Sequence, residues 1–392
     1  MYLGKIKCAK LIALVLLCAG VSYAASAQPL IYKPADLHIA VDEKTKQNIF
    51  NSLDTLFSRI NNGSVSDSLV DINGFDLNKH VLESFRGYEN DETNKVQNLY
   101  KPQLINVYPL SRNEYSITVA YIGIMPSGTP TINAILNLIA RNYDGRIVFA
   151  LPLKHYTANW EKKTIGNVTY HYPYKINIER ATLFDKKNTL IATKLGLKPE
   201  QLDFYLCPNY QEILKLLGYE YESGANGKYK DGYGVTAGNT IFSIASNEDF
   251  SHDVCHFYSG KINKTRNRIA EEGMAYNWGN AYYTKPDGDM IELKELVLRL
   301  SSYLKNNPDS GSLRLFENDT KIFGDLPDEI SVRSVISGVL MNEIENRKGI
   351  EGILKMINSG KGMDSYFHVL NDILSINKGN FDSEVMRLVK YY

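Results

Sequence analysis

His252 and His256 stand four residues apart in Ser251-His-Asp-Val-Cys-His256, and Glu272 follows sixteen residues after His256 in Glu271-Glu-Gly-Met-Ala-Tyr276. On a helix, residues i and i+4 leave the same face, so this spacing lets two imidazoles reach one ion from a single helical turn. A carboxylate on a following helix supplies a third ligand, and one tetrahedral position then stays open to water. With 7 histidines in 392 residues, a His-x-x-x-His pair is expected by chance about 0.12 times; requiring an acid after the first histidine lowers this to about 0.01. The plain alternative is an ordinary helix that happens to carry two histidines.

An open fourth position characterises a catalytic zinc rather than a closed structural one. Zinc hydrolases with this helix keep a general-base glutamate directly after the first histidine. Here that residue is Asp253, one methylene shorter. A general base must lie within about 2.6–3.2 Å of the proton it removes, and a misplacement near 1 Å costs about 10²-fold in rate. Metal binding need not suffer, because this carboxylate is not a ligand. Glu271 is turned about 100° from Glu272 on a helix and is expected to be a solvated neighbour. Cys255 points off the histidine face and reads as a small buried hydrophobe. The remaining histidines, His38, His80, His155, His171 and His368, show no metal-ligand spacing.

The opening residues read as an export signal over 1–27. Lys5, Lys7 and Lys10 precede an apolar run from Leu11 to Val21, and Ala25-Ser26-Ala27 offers a cleavage site, with Ala24 as an alternative. The apolar run is shorter than the roughly 20 residues a spanning helix needs. Lipidation at Cys18 is disfavoured by the bulky Leu17 before it. Lys plus Arg equals Asp plus Glu at 44 each, with no basic cluster, so neither nucleic acid nor an anionic membrane is an expected partner. Removal of the signal leaves Cys207 and Cys255, whose pairing stays open; one bond at most excludes a disulfide scaffold.

About 365 mature residues predict two domains, an α+β region over 28–160 and a second unit over 164–392. Ile49, Leu53, Leu56, Phe57 and Ile60 stripe one face of a helix over 42–62. Strands are predicted at Leu104–Tyr108, Tyr115–Tyr121, Asn133–Ile139 and Ile147–Leu153. This small helix-plus-sheet domain is similar in element order to the cystatin-like or NTF2-like folds. Beyond Trp160 the expectations are a strand over Ile165–Tyr172, a helix over Ile178–Leu195 and a buried strand at Leu202–Cys207. A helix capped by Asn209 and stopped at Gly218, a loop over Glu220–Tyr233 and a strand at Asn239–Ile244 come next. From Ile291 onward the chain reads as mainly helical.

With those elements in place, the chain resembles the gluzincin metallopeptidases, in particular the peptidase MA-like families, over roughly residues 164–392. His252-Asp-Val-Cys-His256 matches their His-Glu-x-x-His helix except at Asp253, and Glu272-Gly-Met-Ala275 matches their Glu-Gly-x-Ala helix. The resemblance implies a zincin-like domain with Zn2+ held by His252, His256 and Glu272, Asp253 as the catalytic base, and Asn239–Ile244 as the sheet edge along which a peptide aligns. It also places Tyr276 where related enzymes carry an acidic partner for a ligand histidine. The expected function is an exported zinc metallohydrolase acting on a peptide or protein. The alternatives are a pseudopeptidase that binds such a partner without turnover, and an amino-terminal ligand-binding domain anchored by the zinc domain. Mass spectrometry of protein from the native cell envelope is expected to show a chain beginning at Ala25 or Gln28; an intact terminus or a lipid on Cys18 would overturn the export assignment.

Overall fold

In a computed structural model of the protein, the described residues are 30–225, 232–233, 239–244, 247–281, 290–324, 326 and 330–392. Residues 1–29, where the export signal and Cys18 are read, and part of the loop expected over Glu220–Tyr233 lie outside them. The fold is α+β. Helix α1 (Glu43–Asn61) begins where the Asp42 carboxylate accepts from the Thr45 N–H, and its five-residue apolar stripe is fully buried. A second helix, α2 (Phe75–Ser84), had no counterpart in the sequence reading. The meander β1 (Lys101–Ser111), β2 (Glu114–Ile124), β3 (Pro130–Tyr143) and β4 (Arg146–Ala150) is antiparallel. The first three strands run past their apolar cores, because the backbone ladder continues into exposed positions. The fourth stops early, as Pro152 caps the short helix α3 (Leu153–Tyr156).

The single strand expected over 165–172 is a hairpin, β5 (Glu161–Ile165) and β6 (Val168–Tyr172). Its turn needs glycine: Gly166 has φ +58°, and a Cβ there would stand 1.9 Å from the Asp185 carboxylate. Helix α4 (Ile178–Lys194), strand β7 (Leu202–Cys207) and helix α5 (Tyr210–Leu216), capped by Asn209, follow as expected. Residues placed in a loop instead include β8 (Tyr219–Glu222), which pairs with β3 as the fifth strand of the first sheet. Gly218 makes that return possible; its φ is +90°, its carbonyl accepts from the Asn137 N–H, and a Cβ would stand 2.7 Å from the Asn137 oxygen.

The second sheet has the order β5-β6-β7-β10-β9, with β9 at Gly232–Tyr233 and β10 at Thr240–Ile244. Strands β6, β7 and β10 are parallel, while β9 runs antiparallel beside Ser243 and Phe242. Strand β10 therefore has neighbours on both sides and is wholly buried. This corrects the expectation that it forms the sheet edge; the outer position falls to β9.

Alternation along the second sheet divides the interior in two. Phe204, Leu206 and Ile241 face the helices of the carboxyl-terminal half. Tyr205, Cys207, Phe242 and Ile244 face the first sheet and α1. The sheet is thus a wall shared by both cores. Helices α6 (Ser251–Ile262), α7 (Arg268–Trp278), α8 (Leu293–Asn306), α9 (Ser312–Asn318), α10 (Val332–Ile357), α11 (Met363–Leu374) and α12 (Phe381–Val389) complete the second core, with α10 broken at Gly349. Among the described residues no helix is long and apolar enough to cross a membrane. Cys207 and Cys255 are both free and lie in different cores.

Helices α7 and α10 meet at glycine distance. A Cβ on Gly273 would stand 2.3 Å from Ser337 Oγ and 2.7 Å from its carbonyl carbon, and a Cβ on Gly338 would stand 3.2 Å from that of Tyr276. Gly273→Ala is expected to destabilise the protein by about 1–3 kcal/mol in chemical denaturation, because a backbone clash outweighs the roughly 1 kcal/mol of helix propensity gained. Equal or greater stability would show that the helices can separate freely.

Candidate metal centre

Helix α6 sets its two histidines on one face and Val254, Cys255 and Tyr258 on the other, inside the second core. The Tyr258 hydroxyl fixes the rotation of the helix: it donates to Asn188 Oδ1 at 2.7 Å and accepts from the Glu200 N–H at 2.8 Å. Helix α7 starts at Asn267, a buried cap whose Oδ1 accepts from the N–H groups of Ile269 and Ala270. The Asn267 Nδ2 donates to the carbonyls of Gly360 and Gly362, tying α7 to the segment after α10.

These anchors bring His252, His256 and Glu272 together, as the spacing predicts, with their ligand atoms within 4.8 Å of one another. The two Nε2 atoms are 3.1 Å apart; Glu272 Oε1 is 3.3 Å from His256 Nε2, and Oε2 is 3.5 Å from His252 Nε2. Atoms at the corners of a tetrahedron around zinc, with bonds of about 2.0–2.2 Å, stand about 3.3–3.6 Å apart; the two distances to Glu272, each to a different oxygen, fall in that range, and the 3.1 Å between the Nε2 atoms is slightly short of it. The outer ring nitrogens strengthen the fit. His252 Nδ1 is 2.8 Å from the Asn280 carbonyl oxygen, and His256 Nδ1 is 3.4 Å from Glu271 Oε1. The Asn280 carbonyl at His252 Nδ1 puts that ring's proton there and turns its Nε2 lone pair inward beside a carboxylate, while His256 Nδ1 stands near Glu271 without a hydrogen bond among the described residues. Such a set could hold a cation.

Without an ion, the carboxylate and the imidazoles favour each other's charged forms. Burial disfavours the Glu272 charge, yet His252 and His256 outweigh it and keep the carboxyl below its usual range. Glu272 and Asp253 raise the His252 imidazole against its own burial.

Glu271 is where the structure departs most from the sequence reading. It is fully buried, not solvated. Arg266 Nε and Arg268 Nη1 each donate to its carboxylate at 2.6 Å, and the Ser259 hydroxyl donates as well. Burial opposes this charge, but His256, Ser259 and Arg266 hold the carboxyl far below the usual range. The adjacent glutamates thus divide the work, one toward the Nε2 atoms and one toward His256 Nδ1. The only sequence signal for this was the pair of arginines at 266 and 268.

Asp253 is half-buried at the start of α6. Its Oδ2 is inaccessible to solvent and has no hydrogen-bond partner among the described residues. Burial pushes its carboxyl up to about 6, with Glu272 adding to the rise and both histidines opposing it. Tyr276 does not take the role of an acidic partner. Its ring packs edge-on to His252 at 5.6 Å between centroids, and its hydroxyl bonds toward Ser331 and Ser334. Among the other histidines, His171 pairs with Asp203 at 2.8 Å and stacks on Tyr205. No second group of three metal-ligating side chains occurs among the described residues.

No protein-family model matches the chain, and no curated protein is significantly similar to it. Glu271→Gln, which keeps the shape and removes the charge beside His256, is expected to weaken Zn2+ affinity about 10- to 100-fold in a chelator competition. Affinity equal to that of the unaltered protein would return Glu271 to a purely structural role.

Proposed function

We propose that the protein is an exported zinc metallohydrolase of the gluzincin type, acting on peptides or proteins. The observation that carries this reading is the convergence of His252, His256 and Glu272 beside an Asp253 carboxylate whose buried oxygen has no partner. Buried acceptors are nearly always satisfied, so an orphan beside a ligand set is an acceptor kept for something that arrives. Zn2+, when bound, supplies a Lewis acid that polarises a substrate carbonyl and lowers the pKa of water.

The chain's own groups perform the rest. His252, His256 and Glu272 hold the ion, and the Asn280 carbonyl at His252 Nδ1 keeps that ring's Nε2 lone pair inward. Asp253 takes the proton of the attacking water and returns it to the leaving amine. The shortened side chain favours a second reading, a pseudopeptidase that keeps the metal and a peptide or protein partner without useful turnover.

The variants at 253 separate the two. For an enzyme, Asp253→Asn abolishes peptidase activity on a diverse peptide library, and Asp253→Glu raises it about 10- to 100-fold by restoring reach. Zinc content stays at one ion per chain in both, while His252→Ala and Glu272→Ala lose it. Cleavage by none of the three forms, with zinc retained, favours the binding module; full zinc occupancy after removal of both histidines ends the metal reading.

A further inference from the structure

The turn that follows α7 does more than end a helix. Gly279 has φ −103° and ψ −113°, and a Cβ there would stand 2.8 Å from the Ser251 carbonyl carbon and 2.9 Å from the His252 nitrogen. Only glycine lets this turn lie against the backbone that carries the first histidine. Asn280 is fully buried behind it and reaches back twice. Its carbonyl faces His252 Nδ1 at 2.8 Å, and its Nδ2 donates to Ser251 Oγ at 3.0 Å. Ser251, also fully buried, donates its N–H to Asp249 Oδ1 at 3.0 Å. The other oxygen of Asp249 accepts from Lys187 Nζ at 2.8 Å, and Lys187 lies 3.5 Å from Ser251 Oγ.

We infer that the Gly279–Asn280 turn, braced by the series Lys187–Asp249–Ser251, is a positioning clamp that holds the His252 ring and selects its tautomer. This deepens the metal reading above and rests on His252 being a ligand. The chemistry is one-sided, because a carbonyl oxygen only accepts. The Nδ1 atom must then carry the proton, and the neutral ring must present an unprotonated Nε2 toward His256 and Glu272. An outer partner that fixes ring and tautomer in this way typically changes metal affinity 10- to 100-fold. Asn280 enters through its backbone, so no side-chain motif announces it. Gly279, Asn280, Ser251, Asp249 and Lys187 are positioning residues; none is a ligand.

Two measurements test the clamp. Zn2+ affinity by chelator competition is expected to be 10- to 100-fold weaker in Gly279→Ala, which displaces the turn, and weaker by a smaller factor in Ser251→Ala, which removes one brace. Val385→Ala, in the same core on α12, controls for general loss of stability; its melting temperature falls while its affinity stays at the unaltered value. In metal-free unaltered protein at alkaline pH, nitrogen-15 NMR of the His252 ring is expected to show the Nδ1–H tautomer, lost or mixed in Gly279→Ala. Unaltered affinity in Gly279→Ala, or an Nε2–H ring in the unaltered protein, overturns the clamp. If Gly279→Ala does not fold, unaltered affinity in Ser251→Ala overturns it. An unaltered protein that takes up no Zn2+ ends the metal reading, while the tautomer still decides the clamp.

Discussion

How closely α7 can lie against α10 governs where Glu272 stands relative to the histidines of the candidate metal centre. Gly273 directly follows Glu272, and Gly338 lies opposite Tyr276, so each helix offers a bare backbone where the other approaches. With side chains at those points the axes would separate, and Glu272 would withdraw from the histidines of α6. The Asn267 cap sets the other end of α7 against the segment after α10. Glu272 is therefore placed by the packing of the helical half as well as by its contacts with His252 and His256.

The two histidines are held by unlike partners. A neutral backbone carbonyl meets His252, whereas a carboxylate anchored by two arginines meets His256. A carboxylate makes its imidazole the more basic donor, but its charge is already shared with the arginines. The arrangement lets a buried anion sit beside a ligand set without making the centre strongly negative. Arg266 and Arg268 keep Glu271 ionised beside His256.

Much of this was legible from residue spacing. The stripe from Ile49 to Ile60 fixed α1 almost to the residue, and alternation located the meander. The pairing of His252 with His256 followed from helical periodicity, while Glu272 came from the resemblance of Glu272-Gly-Met-Ala275 to a Glu-Gly-x-Ala helix. What escaped had its cause far away along the chain. Strand β8 is polar and tyrosine-rich, and its partner β3 lies more than eighty residues upstream, where no local pattern can point to it. The depth of Glu271 depends on Arg266 and Ser259 closing over it, so helical phase alone placed it in solvent. Strand β10 looked like an edge because its outer neighbour, Gly232–Tyr233, is only two residues long.

The late return of β8 also bears on how the chain is made. Strand β3 pairs with β2 on one side, while its other side is divided between β4 at Ile139–Tyr143 and β8 at Ala134–Leu136. During synthesis the first four strands emerge together, yet Ala134–Leu136 keeps open backbone groups until residue 222 has left the ribosome. An open edge on an apolar strand is a template for pairing with another chain. The amino-terminal sheet therefore passes through an interval in which it is nearly complete and most prone to associate wrongly, and that interval closes only when the following region begins to fold onto it.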